Sequence, residues 1–114
     1  MKQYLVFFLI LVSCTQQKPQ IQQVGKKIFQ ELIKQEVQLV DVRTPGEYQG
    51  GSIGNAQNID FNSTDFKAQV SKLDRNKPVL VFCAVGGRSA RASKVLESLG
   101  FKEIYDLKGG YSAW

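Results

Sequence analysis

The chain has 114 residues, 43% of them apolar and 22% charged, which predicts one small globular domain and excludes a disordered or fibrous protein. The formal net charge of +5 is mild, and no basic run exceeds the pair Lys26 and Lys27, so we expect no nucleic acid as partner. The chain has no histidine and only two cysteines, Cys14 and Cys83. This composition excludes Ser-His-Asp and Cys-His machinery and histidine-ligated metals, and we expect neither a metal nor a cofactor.

The first 13 residues have the pattern of an export signal. Lys2 gives a positive start, and residues 5–12 are apolar. This run is too short for a membrane-spanning helix, which needs about 20 residues. The residues that follow, Leu11 to Cys14, resemble the lipobox of bacterial lipoproteins, in which the chain is cut before the cysteine and the cysteine is acylated. The alternative is a plain secretory signal with an incidental cysteine.

This pattern predicts three segments. Residues 1–13 are the signal peptide, residues 14–23 are a lipidated Cys14 with a polar tether, and residues 24–114 are the folded domain. Acyl chains on Cys14 would anchor the protein in the bacterial cell envelope, at the outer membrane or the periplasmic face, or at the cell membrane where no outer membrane exists. Cys83 would then be the only free thiol of a protein that we expect to be a monomer.

Helices and strands are predicted to alternate along the domain. The spacing of apolar residues, together with capping and glycine signals, predicts helices over residues 24–33, 44–50, 62–73 and 89–99. Short apolar and β-branched runs predict strands over residues 37–42, 56–60, 78–82 and 102–106. Such alternation indicates an α/β fold, a single three-layer domain with a central parallel sheet flanked by helices.

Cys83 lies where a sheet of this kind binds ligands, because it directly follows the predicted strand 78–82 and sites form beyond the carboxyl ends of parallel strands. The loop that follows consists of Ala84, Val85, Gly86, Gly87 and Arg88. Its backbone N–H groups, the N-terminus of the next helix and the charge of Arg88 should lower the pKa of Cys83 and activate it as a nucleophile without a histidine. The alternative is an inert buried cysteine.

Four separated motifs together resemble a single-domain rhodanese. They are Asp41-Val42-Arg43 with Pro45-Gly46-Glu47-Tyr48; Ile53, Ala56, Asn58 and Ile59; Val81-Phe82-Cys83 with Gly86, Arg88 and Ser89; and Gly109-Gly110 with Trp114. The resemblance implies a rhodanese-like fold and a sulfurtransferase. Cys83 would take a sulfane sulfur from thiosulfate, polysulfide or a persulfide and pass it to an acceptor. Residues 84–88 would form the substrate-binding loop, with a small anionic sulfur donor and a thiol or cyanide-like acceptor as partners.

The length and the side chains of the loop also discriminate between the remaining classes of function. Four residues lie between Cys83 and Arg88, whereas the related cysteine phosphatases have five, because a phosphate needs a wider cradle than one sulfur atom. Many thiosulfate-using relatives have basic or hydroxyl side chains where this chain has Ala84 and Val85, which leaves Arg88 as the only charge of the loop. A non-enzymatic persulfide carrier or binding module is therefore the alternative function, and a phosphatase is the least favoured.

Two further residues are candidates for the border of the site. Asp41 and Arg43 lie at the end of the predicted strand 37–42. The alternative is a purely structural pair, in which Arg43 binds Glu47 or a loop carbonyl.

Overall fold

The structure is a computed structural model that describes residue 3 and residues 18–114 of the chain. The strands are β1 (Ile21–Val24), β2 (Gln38–Asp41), β3 (Gln57–Asn58), β4 (Val79–Phe82) and β5 (Ile104–Leu107). The helices are α1 (Lys26–Ile33), α2 (Pro45–Gln49), α3 (Phe66–Val70) and α4 (Gly87–Ser98), followed by a 3₁₀ turn at Tyr111–Ala113. No helix within these described residues is long and apolar enough to cross a membrane. The predicted lipidation site, Cys14, lies outside them.

The strands form one parallel sheet in the order β1-β5-β4-β2-β3. The central strand β4 is buried along its whole length, as expected for a strand covered on both faces. On one face, α3 and α4 contribute Phe66, Val70, Ala92 and Leu96 to the core, and on the other face α1 contributes Phe29. The structure therefore confirms the α/β fold with a parallel sheet between two helical layers.

The predicted polar tether is wrong over its last residues. Residues 21–23 belong to β1, which pairs with β5 from Ile21 opposite Ile104 to Val24 opposite Leu107. The glutamines of this strand do not give the apolar pattern by which strands are predicted from sequence. At a sheet edge the backbone hydrogen bonds suffice to hold a strand, and polar side chains remain partly solvated. The helix predicted from Val24 accordingly begins only at Lys26.

Two helix starts place the residues that matter most for the site. At α2, Thr44 Oγ1 accepts a hydrogen bond from the Glu47 N–H at 3.3 Å, and Glu47 Oε1 accepts one from the Thr44 N–H at 3.2 Å, which confirms the predicted capping box. At α4, Gly86 has φ +124°, so the chain turns sharply before the helix. As a result α4 starts at Gly87, two residues before the predicted Ser89.

The C-terminal segment holds the residues after β4 in place. The Tyr111 N–H donates to the Cys83 carbonyl at 2.8 Å, and the Ser112 N–H donates to the Ala84 carbonyl at 3.0 Å. Gly110 precedes them with φ +61° and ψ −158°, a conformation essentially restricted to glycine. A Cβ at Gly110 would press on the Cys83 carbonyl oxygen and lie 2.7 Å from the Ala84 carbonyl carbon. The missing side chain is what allows the two segments to touch.

Gly110→Ala should therefore lower the free energy of unfolding by at least about 2 kcal/mol, since it adds both backbone strain and a steric clash. Urea unfolding followed by the fluorescence of Trp114, the only tryptophan of the chain, measures this change. Gly46→Ala is the matched control, because a Cβ there meets nothing within 4 Å. Equal midpoints for the two variants would contradict the role assigned to Gly110.

Candidate active site

The sulfur of Cys83 is surrounded by hydrogen-bond donors of its own loop. Cys83 directly follows β4 and is 1% exposed. Its Sγ accepts hydrogen bonds from the N–H groups of Gly86 at 3.1 Å and Ser89 at 3.3 Å, and it lies 3.4 Å from Ser89 Oγ. The loop and the first turn of α4 thus converge on one atom, at the carboxyl end of the sheet.

These contacts set the ionisation of the thiol. Burial raises the pKa of Cys83, but hydrogen bonding with the Ser89 hydroxyl and hydrogen bonds from the N–H groups of Ser89, Gly86 and Val85 lower it more, so that the pKa lies below its ordinary value. A larger fraction of the thiol is therefore ionised at neutral pH than in an unperturbed cysteine. The arrangement supplies an activated sulfur nucleophile without a histidine.

Arg88 is paired with a carboxylate, which the sequence did not indicate. Its Nη1 donates to Glu47 Oε1 at 2.7 Å and its Nη2 to Glu47 Oε2 at 3.0 Å. Two parallel hydrogen bonds of this kind are a strong form of ion pair. The lowered pKa of Cys83 comes from its hydrogen bonds, and Arg88 is already occupied by Glu47.

Glu47 is the residue that sequence reasoning did not place in the site. The capping motif accounted for it as part of α2, and one of its oxygens does bind Thr44. Its two oxygens also bind Arg88, which is 41 residues away in the chain. The hydrogen bonds from Arg88, with smaller contributions from Thr44, lower the pKa of Glu47 to about 2. No local signal reveals this second role; the only hint is that the resemblance includes both residues.

Comparisons with known proteins agree with this geometry. The rhodanese-like domain family matches residues 26–114. The chain belongs to this family. Uncharacterized protein YqhL of Bacillus subtilis (strain 168) is 42% identical over 77 residues, which cover 68% of this chain and 60% of that protein. Thiosulfate sulfurtransferase GlpE of Shewanella oneidensis is 35% identical over 78 residues, which cover 68% of this chain and 75% of that protein.

A solved structure shows the same fold. The crystal structure of a rhodanese-related protein from Thermoplasma volcanium matches with a TM-score of 0.72 and 35% identity, covering 82% of this chain and 89% of that chain. The chain spans 60% of the length of its Bacillus relative, so that protein is longer than the segment compared here. Together these matches place the chain in a sulfurtransferase-like family with a rhodanese fold.

In this rhodanese-like domain, Asp41 and Arg43 form a buried ion pair with an Nη2–Oδ2 distance of 2.8 Å. Arg43 also donates to the Gly51 carbonyl at 2.6 Å, which is the loop-carbonyl contact of the structural alternative; its predicted alternative partner, Glu47, binds Arg88 instead. The described hydrogen bonds do not connect this pair to the Cys83 sulfur. Two residues link the pair to Cys83: Phe82, which precedes Cys83 and lies opposite Asp41 in the sheet, and Tyr111, whose ring lies 4.2 Å from Arg43 Cζ and whose N–H holds the Cys83 carbonyl.

A groove of about 460 Å³ lies elsewhere, between α1, the segment Ile53 and Gly54, and Trp114. This groove is on the α1 side of the sheet, whereas Cys83 belongs to the core on the α3 and α4 side. The Trp114 ring packs edge-on against Phe29 with centroids 5.9 Å apart. Neither Cys83 nor any residue of its loop lines the groove, so it is not part of the site around Cys83.

A second buried carboxyl group lies on β5, the strand that pairs with β4 next to the site. Asp106 on β5 is 1% exposed and pairs in register with Val81, two residues before Cys83. Its Oδ1 has no hydrogen-bond partner among the described residues. Burial raises the pKa of Asp106, and hydrogen bonding to Ser89 offsets this only in part. Ser89 therefore lies between two ionisable groups, Cys83 and Asp106.

The raised pKa of Asp106 has a consequence for stability. The folded protein holds this proton more tightly than the unfolded chain, so the free energy of unfolding should fall as pH rises above the ordinary aspartate pKa of 3.8 and level off once Asp106 is ionised in the folded state. Asp106→Asn keeps the shape of the side chain and removes the ionisation. We expect its free energy of unfolding to fall less over the same interval.

Urea unfolding at a series of pH values from about 4 to about 8 measures this difference. The exposed Asp74 gives the control variant Asp74→Asn, which should follow the parent chain. Parallel curves for the parent and Asp106→Asn would contradict the explanation.

Proposed function

We propose that this rhodanese-like domain is a sulfurtransferase that carries a sulfane sulfur as a persulfide on Cys83. The observation that carries the proposal is the pair of N–H groups, of Gly86 and Ser89, that lie 3.1 and 3.3 Å from Sγ. Fixed donors at this distance stabilise negative charge where it resides and require no rearrangement during the reaction. The family membership and the thiosulfate sulfurtransferase relative support the same activity.

The chemistry follows from one nucleophile in two steps. The Cys83 thiolate attacks the outer sulfur of thiosulfate, a polysulfide or a persulfide. A new S–S bond forms, the S–S bond of the donor breaks, and its electron pair leaves with the rest of the donor, which is sulfite when the donor is thiosulfate. A thiol or cyanide-like acceptor then attacks the outer sulfur, and Cys83 leaves as the thiolate that the loop stabilises. The sulfur atom moves with no net oxidation.

The burial of Cys83 restricts which reactants fit. With only 1% of the residue exposed, the reacting sulfur of the donor has to enter the loop as a slender terminal atom. A single sulfur atom on a narrow stem meets this condition, whereas a tetrahedral phosphate ester is wider. The geometry therefore supports sulfur transfer over the phosphatase alternative.

A persulfide carrier with slow turnover is the second candidate. It is favoured by the ion pair between Arg88 and Glu47 and by the uncharged side chains of Ala84 and Val85, which leave little to attract an anionic donor. In a carrier the same persulfide forms on Cys83, and only the rate of loading or release differs.

Cys83→Ser should abolish sulfur transfer while leaving the fold intact, because oxygen is a poor nucleophile toward sulfane sulfur and the exchange adds no bulk. Intact mass after exposure to thiosulfate, polysulfide and an organic persulfide shows whether one sulfur atom is added, and cyanide-dependent formation of thiocyanate measures turnover. We expect the parent chain to gain the sulfur and Cys83→Ser to gain none. Thiocyanate formation near the parent rate in the variant would overturn the proposal; loading without turnover would select the carrier.

We also propose that acylation of Cys14 anchors the domain in the bacterial cell envelope. The apolar run at residues 5–12 and the lipobox-like Leu11 to Cys14 support this proposal. The first described strand, β1, begins at Ile21, so the segment available as a tether is no longer than residues 15–20. A fully extended segment of six residues spans at most about 20 Å, which would hold the domain close to the lipid surface.

Cys14→Ala should prevent acylation and cleavage, because the thiol is the group that is modified. We expect the parent chain to sediment with membranes in high salt and to dissolve in detergent, since two or three acyl chains hold firmly where one binds only marginally. The measurement is fractionation with intact mass of the recovered protein. Parent protein in the soluble fraction with Met1 still attached would contradict the anchor.

A further inference from the structure

We propose that Glu47 determines the charge of the sulfur donor by holding Arg88 in an ion pair, so that the site disfavours dianions such as thiosulfate and favours organic persulfides with an uncharged body. The inference rests on the proposed function of Cys83 and assigns the substrate class of that site. The only charged side chain of the loop, Arg88, is already paired with Glu47 in the folded protein.

The geometry of the pair commits the charge of Arg88 to Glu47, so an anionic sulfur donor would meet a cation that is already neutralised. Its two terminal nitrogens each bind one oxygen of Glu47, at 2.7 and 3.0 Å. An incoming anion would have to displace a carboxylate from a fork that matches it. The same carboxylate is fixed from the other side by Thr44, whose N–H and hydroxyl both donate to Oε1. Glu47 is therefore a pre-organised competitor for any anion that approaches Arg88.

The surrounding charges act in the same direction. The hydrogen bonds to Glu47 raise the pKa of Arg88, and the negative charges of Glu47, of the Cys83 thiolate and of Asp60 raise it further. The N-terminus of α4 adds a partial positive charge, equivalent to about half an elementary charge. Arg91 extends over the ring of Phe61, with Cζ 5.6 Å from the centroid. Among the residues of the loop, the one cationic side chain, Arg88, is thus paired with a carboxylate.

The outer part of the loop is apolar. Val85 is 72% exposed, which is unusual for a large apolar side chain, and Ala84 precedes it. The backbone N–H of Val85 helps to lower the pKa of Cys83. Its exposed side chain is therefore available to contact an incoming sulfur donor. An exposed apolar side chain beside a neutral ion pair fits the carbon body of an organic persulfide better than the oxygens of thiosulfate.

Thiosulfate and an organic persulfide also differ in the charge that they bring to the reacting atoms. A thiolate and thiosulfate bring three negative charges together, and the products, a persulfide anion and sulfite, keep all three. With a protonated persulfide R–S–SH only the thiolate is charged; the S–S bond of the donor breaks, Cys83 gains the outer sulfur with its proton, and R–S⁻ leaves with the electron pair. In a loop whose one cation is already paired with Glu47, the second reaction is the less repulsive.

The test is the variant Glu47→Gln. Glutamine also satisfies the capping box at this position and can still bind Arg88, so the variant removes the charge and keeps the local structure. We expect kcat/KM for thiosulfate to rise on the order of tenfold, because one cation is unmasked at the entrance. For the persulfide of N-acetylcysteamine, whose body is uncharged, we expect a change of less than about twofold, because its protonated form brings no charge to the reacting atoms.

Glu97→Gln is the matched control, since it removes one negative charge from the far end of α4, nine residues beyond Arg88. It should leave both donors unchanged. Val85→Lys provides a second variant that does not touch Glu47. It keeps the backbone N–H, adds a cation at an exposed position, and should likewise raise thiosulfate use more than persulfide use.

The outcomes separate the two levels of the argument. Sulfur transfer by the parent chain with an unchanged ratio of the two kcat/KM values in both variants would overturn the role of Glu47 and leave the proposed function standing. Failure of the parent chain to load sulfur on Cys83 from either donor would overturn the proposed function and the inference with it. A parent chain that uses thiosulfate more efficiently than the persulfide would overturn the assigned donor class alone.

Discussion

The hydrogen bonds from the Gly86 and Ser89 N–H groups to the Cys83 sulfur are the interaction on which the site depends. They exist because β4 ends at Phe82, the chain turns at Gly86 with a positive φ, and α4 starts immediately afterwards. Each of these features is simple alone: an apolar strand, a glycine, a helix start. Their combination gives a buried sulfur a set of fixed hydrogen-bond donors without a histidine.

The rest of the domain holds this loop from behind. Tyr111 and Ser112 donate to the carbonyls of Cys83 and Ala84, and Gly110 allows them to approach. The Tyr111 ring packs beside Phe82, Arg43 lies over both rings, and Arg43 is held by Asp41. A buried ion pair is weak support for stability by itself, because its desolvation is costly. Here the position of the ion pair accounts for its presence. Arg43 packs against the ring of Tyr111, and Tyr111 holds the loop after Cys83.

The fold could be predicted from the sequence to a large extent because its signals are local. The run Val79–Phe82, the capping box at Thr44 and the glycine before α4 each determine the structure around them. β1 was missed because its stability comes from pairing with β5, about 80 residues away, and its glutamines give no pattern of burial. An edge strand is defined by its partner, so the chain around it says little.

The same distinction applies to the site. Cys83 and its loop could be located because strand, nucleophile and glycines are contiguous in the chain. The state of Arg88 could not, because it depends on Glu47 in another helix, and Glu47 already had a complete local explanation as a capping residue. A side chain that satisfies one local rule is easily assigned to that rule alone, although a carboxylate has two oxygens and several acceptor positions.

The charges around the sulfur are compensated one by one, and this determines what the loop can do. Arg43 is paired with Asp41 and Arg88 with Glu47, while burial raises the pKa of Asp106 and so favours its neutral form. Among the buried groups described, the Cys83 thiolate is then the charge that the N–H donors and the helix N-terminus act on directly. An ionised Asp106 would add a like charge behind Ser89 and weaken that stabilisation. Hydrogen-bond donors that are fixed by the fold are thus the main cause of the lowered pKa of Cys83, while the nearby full charges of Arg43 and Arg88 are paired with carboxylates.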